Sequence, residues 1–152
     1  MVGFGDFNEA PELPGKPAPP TVQQRKFMMA TARKMEELLQ RSVVELLALY
    51  AGRGLLAFAH VPNGEYRTPG VAGRLKAMGT IPGVPDLLVW LPGSMSFGIE
   101  LKAGRGRLSA DQVQWHSTLS SLGHRVYVCR SIDEVEAALR IESVPAIGQV
   151  VA

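Results

Sequence analysis

Two apolar runs only four residues apart place the strongest constraint on the fold of this chain. DLLVWL (86–91) and SFGIEL (96–101) have the length and character of strands, and PGSM between them suits a hairpin connection. GLLAFAHV (54–61) is a further strand-like run that ends at the turn-forming VPNGE, and RVYVC (125–129) is the last. The chain is therefore expected to build a sheet around a hairpin.

The longest helical pattern lies before the first strand. Apolar residues recur at three- and four-residue steps from Thr21 to about Tyr50, with room for a break inside the stretch, and Gly52 and Gly54 stop it. Residues 67–85 are rich in Arg, Lys, Gly and Pro, so we expect a loop there.

Two shorter helices are expected in the C-terminal part. Ser109 is placed to cap the helix after the hairpin, and Gly123 is placed to end it. Ser131 and Glu134 form a capping-box pattern that opens a last helix, which runs to about Leu139. The order α-β-β-β-α-β-α predicts an α/β fold in which helices flank a mixed sheet.

Composition sets the expected boundaries. Residues 1–20 hold five of the eleven prolines without periodicity, which indicates a flexible or extended arm. One domain is expected over residues 21–140, followed by a tail at 141–152.

The arm lacks the pattern of a signal peptide, and no apolar stretch approaches the ~18 residues of a membrane span. With one cysteine, Cys129, an internal disulfide is excluded, and a reducing cytoplasmic location is expected.

Three ionisable residues stand at the ends of the hairpin strands. Because side chains alternate along a strand, Glu100 and Lys102 project from one face while Leu101 points to the other. Hairpin pairing would place Asp86 opposite the end of the second strand, so the three charged side chains would converge. Two close carboxylates repel each other unless a cation lies between them, and hard oxygen ligands of this kind suit Mg²⁺ or Mn²⁺.

The ordinary alternative is a solvated surface pair. E-x-K on a strand often faces solvent, and Pro-Asp is a common turn dipeptide. Here the two acids lie amid apolar sequence. They are also the only acids in a segment, 67–107, whose cations are Arg67, Arg74, Lys76, Lys102, Arg105 and Arg107. Acids isolated inside a basic segment favour a metal site that faces a phosphate backbone.

A series of motifs in fixed order then makes a family resemblance specific. The series consists of VPNG…R (61–67), GTIPGVPDLLVW (79–90), IELKAGRGRLSADQVQW (99–115) and G-H-x-V-x-V-C-R-S (123–131). Over roughly residues 30–140 the chain resembles the VRR-NUC branch of the PD-(D/E)XK nucleases. The resemblance implies a restriction-endonuclease-like fold and a metal-dependent hydrolysis of DNA phosphodiester bonds. Stand-alone members are small, often phage-borne, and can act as dimers on branched DNA such as junctions or flaps.

The resemblance also implies roles for single residues. Asp86 and Glu100 would bind Mg²⁺ or Mn²⁺ with help from the Leu101 carbonyl, and Lys102 would orient or activate the attacking water. Gln112 matches the family's helix glutamine near the site. Its place three residues after a helix cap could by itself explain this glutamine, and the two roles do not exclude each other.

The family's acidic residue on the first helix is less well defined here. Glu36 is the best match, since it lies four residues before Gln40, but Glu37 and Glu45 are alternatives. Glu36 and Glu37 could also simply solvate a helix face.

Contacts to DNA are expected from the basic segment and from the turn before it. Arg74, Lys76, Arg105 and Arg107 would grip the phosphate backbone, which gives affinity without sequence information. Asn63 in VPNG resembles the family's substrate-side loop, although asparagine is favoured in turns in any case. The net charge of +2 permits a polyanionic partner without demanding one. A single site on so short a chain favours a homodimer for cutting two strands.

Other interpretations stay open on the sequence. KAGRGRLS could cradle a small-molecule phosphate, but it lacks the third glycine of a dinucleotide fingerprint and the Gly-Lys-Ser/Thr of a P-loop. A module that binds nucleic acid without cutting it would use the same basic residues. An HNH nuclease is disfavoured because loop, not helix, is expected after His60 and Asn63. The three histidines, His60, His116 and His124, lack metal-ligand spacing and are expected to be structural or surface residues.

Overall fold

One long helix, four strands and three shorter helices form the part of the chain described by the computed structural model, residues 19–62 and 69–148. The elements are α1 (Val22–Ala51), β1 (Ala57–His60), α2 (Pro69–Ala77), β2 (Leu87–Leu91), β3 (Met95–Leu101), α3 (Ala110–Ser121), β4 (Arg125–Cys129) and α4 (Ile132–Ile141). A 3₁₀ turn, Pro92–Ser94, joins β2 to β3. The predicted arm up to residue 18, Asn63, Arg67 and the end of the tail lie outside the described residues.

The predicted α/β fold with a mixed sheet flanked by helices is confirmed. The strands lie in the order β1-β2-β3-β4, with β1–β2 and β2–β3 antiparallel and β3–β4 parallel. The hairpin over PGSM forms as expected, with Leu91 opposite Met95 and Leu87 opposite Ile99. The first strand is shorter than its apolar run, since it begins at Ala57.

The core lies on one face of this sheet. Alternate residues of β2 and β3 are buried there, and α1 and α4 supply the facing side chains; the cluster includes Leu87, Val89, Ile99, Leu101, Val43, Leu47, Val135 and Leu139. Val144 of the tail also packs in this cluster. Because strand side chains alternate, Glu100 and Lys102 project from the opposite face, against which α3 lies.

The helix α1 differs from its prediction in one respect. The sequence allowed a break, but α1 runs for 30 residues without one, from the Thr21 cap to Gly52. Only its C-terminal half packs on the core, while the large side chains of Phe27, Met28 and Met29 are exposed. The N-terminal half therefore continues as helix without burying its apolar residues.

The prediction of a loop over residues 67–85 was wrong for residues 69–77, which form α2. Proline fits the first position of a helix, where no N–H donor is needed, and Ala72, Leu75 and Ala77 are good helix formers. The glycines at 70 and 73 concealed this pattern in the sequence. Arg74 and Lys76 consequently lie in the last turn of an exposed helix, not in a loop.

The predicted caps of α3 and α4 form largely as expected. The Ser109 side chain accepts a hydrogen bond from Gln112 N, and Gly123 follows the end of α3 with a φ of +85°. The Ser131 side chain likewise accepts from Glu134 N, but Glu134 Oε2 accepts from Arg130 N, one residue outside the expected capping box. Within the two described ranges we find no helix with both the length and the apolar character that crossing a membrane requires.

Candidate active site

The hairpin and its tight turn bring Asp86 to the end of β3. Asp86 directly precedes the pair Leu87–Ile99, and the backbone N–H of Leu101 donates to Asp86 Oδ2 at 2.8 Å. This bond fixes the Asp86 carboxylate beside the strand that carries Glu100 and Lys102. The structure thus brings together the three residues that the sequence singled out.

Two glycines explain why the chain follows GVPD before β2. Gly83 has a φ of +86°, and a Cβ atom there would lie 2.4 Å from the carbonyl carbon of Asp111 in the first turn of α3. A Cβ atom on Gly98 of β3 would lie 2.9 Å from Pro85 Cγ. Glycine at both positions lets the loop pack against α3 and lets the buried Pro85 pack over β3. This close packing holds Asp86 in position.

Glu100 is completely buried, with 0% of its surface exposed. Its Oε1 atom accepts hydrogen bonds from Lys102 Nζ at 2.8 Å and from Gln112 Nε2 at 2.5 Å. Its Oε2 atom has no hydrogen-bond partner among the described residues. Burial raises the pKa of Glu100 to about 7; Lys102 opposes this shift, and the charge of Asp86 adds to it. A cation at the free oxygen would favour the ionised form.

Lys102 is almost as deeply placed, with 9% of its surface exposed. Burial alone would lower its pKa, but the hydrogen bond to Glu100 and the charges of Glu100, Glu36 and Asp86 outweigh burial, so the pKa of Lys102 is raised. The side chain therefore stays an ammonium group near neutral pH. It can orient a polar group or stabilise negative charge, but it cannot act as a base in this state.

The structure brings Glu36, of the three candidate glutamates on α1, to this centre. Glu36 Oε1 lies 3.6 Å from Lys102 Nζ. Glu37 instead pairs with Arg41 on the exposed face at 2.7 Å, and Glu45 is exposed. Glu36 is thus the glutamate beside Lys102, whereas Glu37 and Glu45 line the cleft that leads to Asp86.

Gln112 uses the two ends of its amide for different purposes. Its Oε1 atom accepts from Ser109 N at 2.9 Å, which completes the capping box, while its Nε2 atom donates to Glu100. The helix cap therefore fixes the orientation of the amide that holds Glu100. The structural and site-directed roles considered from the sequence coexist in one side chain.

His116 is a site residue that sequence reasoning missed. It lies on α3 four residues after Gln112, its ring is half-buried, and its buried Nε2 atom has no hydrogen-bond partner among the described residues. Burial and the charge of Lys102 lower the pKa of His116, and Asp86 acts in the opposite direction. The four-residue spacing from Gln112 was a signal that could have found it. His124, by contrast, contacts Ser96 Oγ at 3.0 Å, away from the acids.

An open cleft of about 1010 Å³ leads to Asp86 and Glu36. It runs along α1 and past the end of β1, where His60 lies on its wall. The acidic side of the site is therefore open along this cleft.

The predicted phosphate-binding residues on α2 and in the loop between β3 and α3 are exposed. Arg105 and Arg107 are exposed in the loop between β3 and α3, and neither forms an ion pair with any described residue. Arg130 Nη2 donates to Gly106 O at 3.0 Å and braces the loop. Arg74 and Lys76 are exposed on α2. These cations are accessible to a polyanion.

The acids fit a divalent cation of the Mg²⁺ type. Across residues 19–62 and 69–148 no three His, Cys, Asp or Glu side chains gather into a ready-made metal cluster. Mg²⁺, however, commonly binds through one or two carboxylates and keeps several waters. Asp86 and Glu100 can supply that pair, and the buried Oε2 atom of Glu100 has the lone pairs that a cation would satisfy.

Comparison with known proteins gives two matches. A family model described as "VRR-NUC domain" matches residues 21–133. A solved structure titled "VRR_NUC domain protein" is 26% identical, with a TM-score of 0.45, and the alignment covers 55% of this chain and 64% of that one. The chain thus spans less than two thirds of the length of that protein. A comparison with curated proteins gave no match.

Proposed function

Because the chain belongs to the VRR-NUC domain family, a branch of the PD-(D/E)XK nucleases, we propose that it is a metal-dependent DNA endonuclease that hydrolyses phosphodiester bonds. Family membership implies nuclease-type function in general. The metal, the DNA substrate and the residue roles belong to the proposal. Asp86, Glu100 and Lys102 are its central residues.

The observation that carries the proposal is the asymmetric environment of Glu100. One oxygen of this buried carboxylate is held by Lys102 and Gln112, and the other has no partner within the described residues. In a purely structural buried ion pair the remaining lone pairs are normally satisfied as well, because an unpaired buried charge is strongly destabilising. A free oxygen at this depth instead supports a site that receives a cation.

The side chains divide the remaining tasks. A divalent cation bound by Asp86, Glu100 and the Leu101 carbonyl would supply Lewis-acid polarisation of the phosphate and of water. Lys102, held protonated by its acidic neighbours, adds positive charge where negative charge gathers during phosphodiester cleavage. Gln112 fixes the rotamer of Glu100, and the Leu101 N–H fixes Asp86. On the α1 side, Glu36 forms an ion pair with Lys102 and helps to keep it protonated.

We propose DNA, with branched forms as preferred substrates, as the partner, and a homodimer as the active assembly. The exposed cations of α2 and of the 105–107 loop support binding to a phosphate backbone. One site cuts one strand, so two copies are needed to cut both strands of a junction. A module that only binds nucleic acid would leave the buried Glu100–Lys102 pair without a task.

A cleavage assay tests the proposal directly. Purified protein is incubated with linear duplex, nicked duplex, flap and four-way junction DNA in Mg²⁺, Mn²⁺, Ca²⁺ or EDTA. We expect cleavage in Mg²⁺ or Mn²⁺ and none in EDTA. Binding in Ca²⁺ without cleavage in any metal would instead favour the module that only binds.

Mn²⁺ is expected to raise the melting temperature of the wild type and to raise that of Asp86→Asn much less. A ligand present at 100 times its Kd stabilises the folded state by about 2.7 kcal/mol. Because a proton competes for Glu100, whose pKa is about 7, the response should be smaller at pH 6 than at pH 8. Thermal melts with and without Mn²⁺ measure it, with Asp133→Asn, an exposed acid of α4, as the control. An undiminished response in Asp86→Asn would remove Asp86 from the ligand set.

Replacing both Arg105 and Arg107 with alanine is expected to weaken DNA binding for all sequences and to flatten its salt dependence. Each lost phosphate contact lowers the slope of log K against log salt by about one unit. Affinity is measured in Ca²⁺ over a series of salt concentrations. The double variant Lys26→Ala/Lys34→Ala removes the same charge from exposed positions of α1 and serves as the control. An unchanged slope would place the DNA track elsewhere, over Arg67, Arg74 and Lys76.

A further inference from the structure

Two buried side-chain atoms in the described part of the chain have no hydrogen-bond partner, and both belong to the same polar centre. They are Glu100 Oε2 and His116 Nε2. His116 lies one helical turn after Gln112, which holds Glu100, so both α3 side chains project from the same side of the helix. The charges of Lys102 and Asp86 both act on the His116 ring. The proposed function gives Glu100 Oε2 to the cation, so His116 Nε2 is the unsatisfied buried atom that still lacks a role.

The His116 ring and the side chain of Lys102 offer complementary hydrogen-bonding groups. The Nε2 atom of His116 is buried without a partner in the described part of the chain, and burial together with Lys102 disfavours the cationic form of the ring by lowering its pKa. A neutral imidazole has one acceptor nitrogen, and an ammonium group has three N–H donors. Lys102 directs one donor to Glu100 Oε1, and its other acidic neighbour, Glu36, is 3.6 Å away. A water between the ammonium group and the ring can bond to both, and buried polar groups without protein partners are normally satisfied by water.

We infer that His116 is a positioning residue that, together with Lys102, holds the attacking water in the site. This inference rests on the proposed function. The water donates a hydrogen bond to His116 Nε2 and accepts one from Lys102 Nζ, so two of its directions are fixed. His116 neither takes up nor releases a proton and forms no bond to the phosphate. Its contribution is orientation, which is lost when the acceptor nitrogen is removed.

Two substitutions at this position separate orientation from packing. His116→Leu removes the acceptor, whereas His116→Gln keeps a polar side chain whose amide oxygen can accept the same bond. His124→Leu is the matched control, since His124 contacts Ser96 and not the acids. We expect His116→Leu to lower the cleavage rate at saturating DNA about 10- to 100-fold, the usual effect of removing an outer hydrogen-bond partner that orients a group of the site. His116→Gln should recover most of the rate, and the half-saturating DNA concentration should not change in either variant.

The melting temperature without metal provides a readout that is independent of activity. His116→Leu replaces a buried unpartnered nitrogen with an apolar group, so it should melt at or above the wild-type temperature. A packing role predicts the opposite, a lower melting temperature together with the lower rate. That result, or a wild-type cleavage rate in His116→Leu, would overturn the inference while leaving the proposed function intact. A wild-type protein that cuts no DNA in any metal would overturn both.

Discussion

Replacing Lys102 with alanine is expected to lower the cleavage rate by about 10²- to 10³-fold, the usual effect of removing one preorganised donor from a developing negative charge. Lys102 is nearly buried and is kept protonated by Glu100, Glu36 and Asp86. Among the described side chains it is the one positive charge in contact with Glu100. The measurement is the single-turnover rate in Mg²⁺ on the substrate that the wild type cuts best.

The fold is expected to survive this substitution. Without its ammonium partner, the Glu100 carboxyl loses the interactions that lower its pKa, so it takes up a proton and leaves no buried charge unpaired. Circular dichroism and DNA affinity in Ca²⁺ should therefore resemble those of the wild type. Lys34→Ala, an exposed lysine of α1, should cut at the wild-type rate. A Lys102→Ala variant that cuts DNA as fast as Lys34→Ala would refute the proposed role of the ammonium group.

Replacing Gly83 with alanine is expected to destabilise the fold by about 2–5 kcal/mol, from a strained positive φ and an overpacked contact together. The added Cβ would lie 2.4 Å from the backbone of Asp111, and backbone atoms in the first turn of α3 have little freedom to move. The loop would have to leave α3, which would displace both Asp86 and the start of the helix that carries Gln112. Urea unfolding of the metal-free protein measures the loss.

Gly79 in the same loop provides the matched control. Its φ is +90°, but a Cβ there would have nothing within 4 Å. Gly79→Ala should therefore cost only the conformational term, about 1–2 kcal/mol. If the two variants were equally destabilised, the contact between Gly83 and Asp111 would contribute nothing to stability.

Local chemistry made the hairpin and the helix caps predictable from the sequence. The apolar runs, the four-residue connection and the cap at Ser109 act over short distances. Glu100 and Lys102, the residue just after β3, project to the same side because strand side chains alternate. The antiparallel partner then carries Asp86 to the same end of the sheet.

The features that the sequence did not resolve depend on packing between distant segments. Glu36, Glu37 and Glu45 are equivalent as residues of one helix, and only the rotation of α1 against the sheet places Glu36 near Lys102. The unsatisfied Nε2 atom of His116 could not be predicted, because its burial depends on the packing of α3 against β3. The helix α2 was missed because its two glycines weaken the intrinsic preference on which the prediction relied.

The interior position of β3 has a consequence for how the molecule loosens. β3 is hydrogen-bonded to β2 on one side and to β4 on the other, and its last five residues are buried. None of residues 70–77 of α2, by contrast, is buried. Local opening needs least free energy where few apolar side chains are buried, and most at a strand bonded on both sides. We therefore expect warming to loosen α2, which carries Arg74 and Lys76, before it disturbs Glu100 and Lys102. The spacing of Asp86 and Glu100 is therefore expected to persist after the outer helix has loosened.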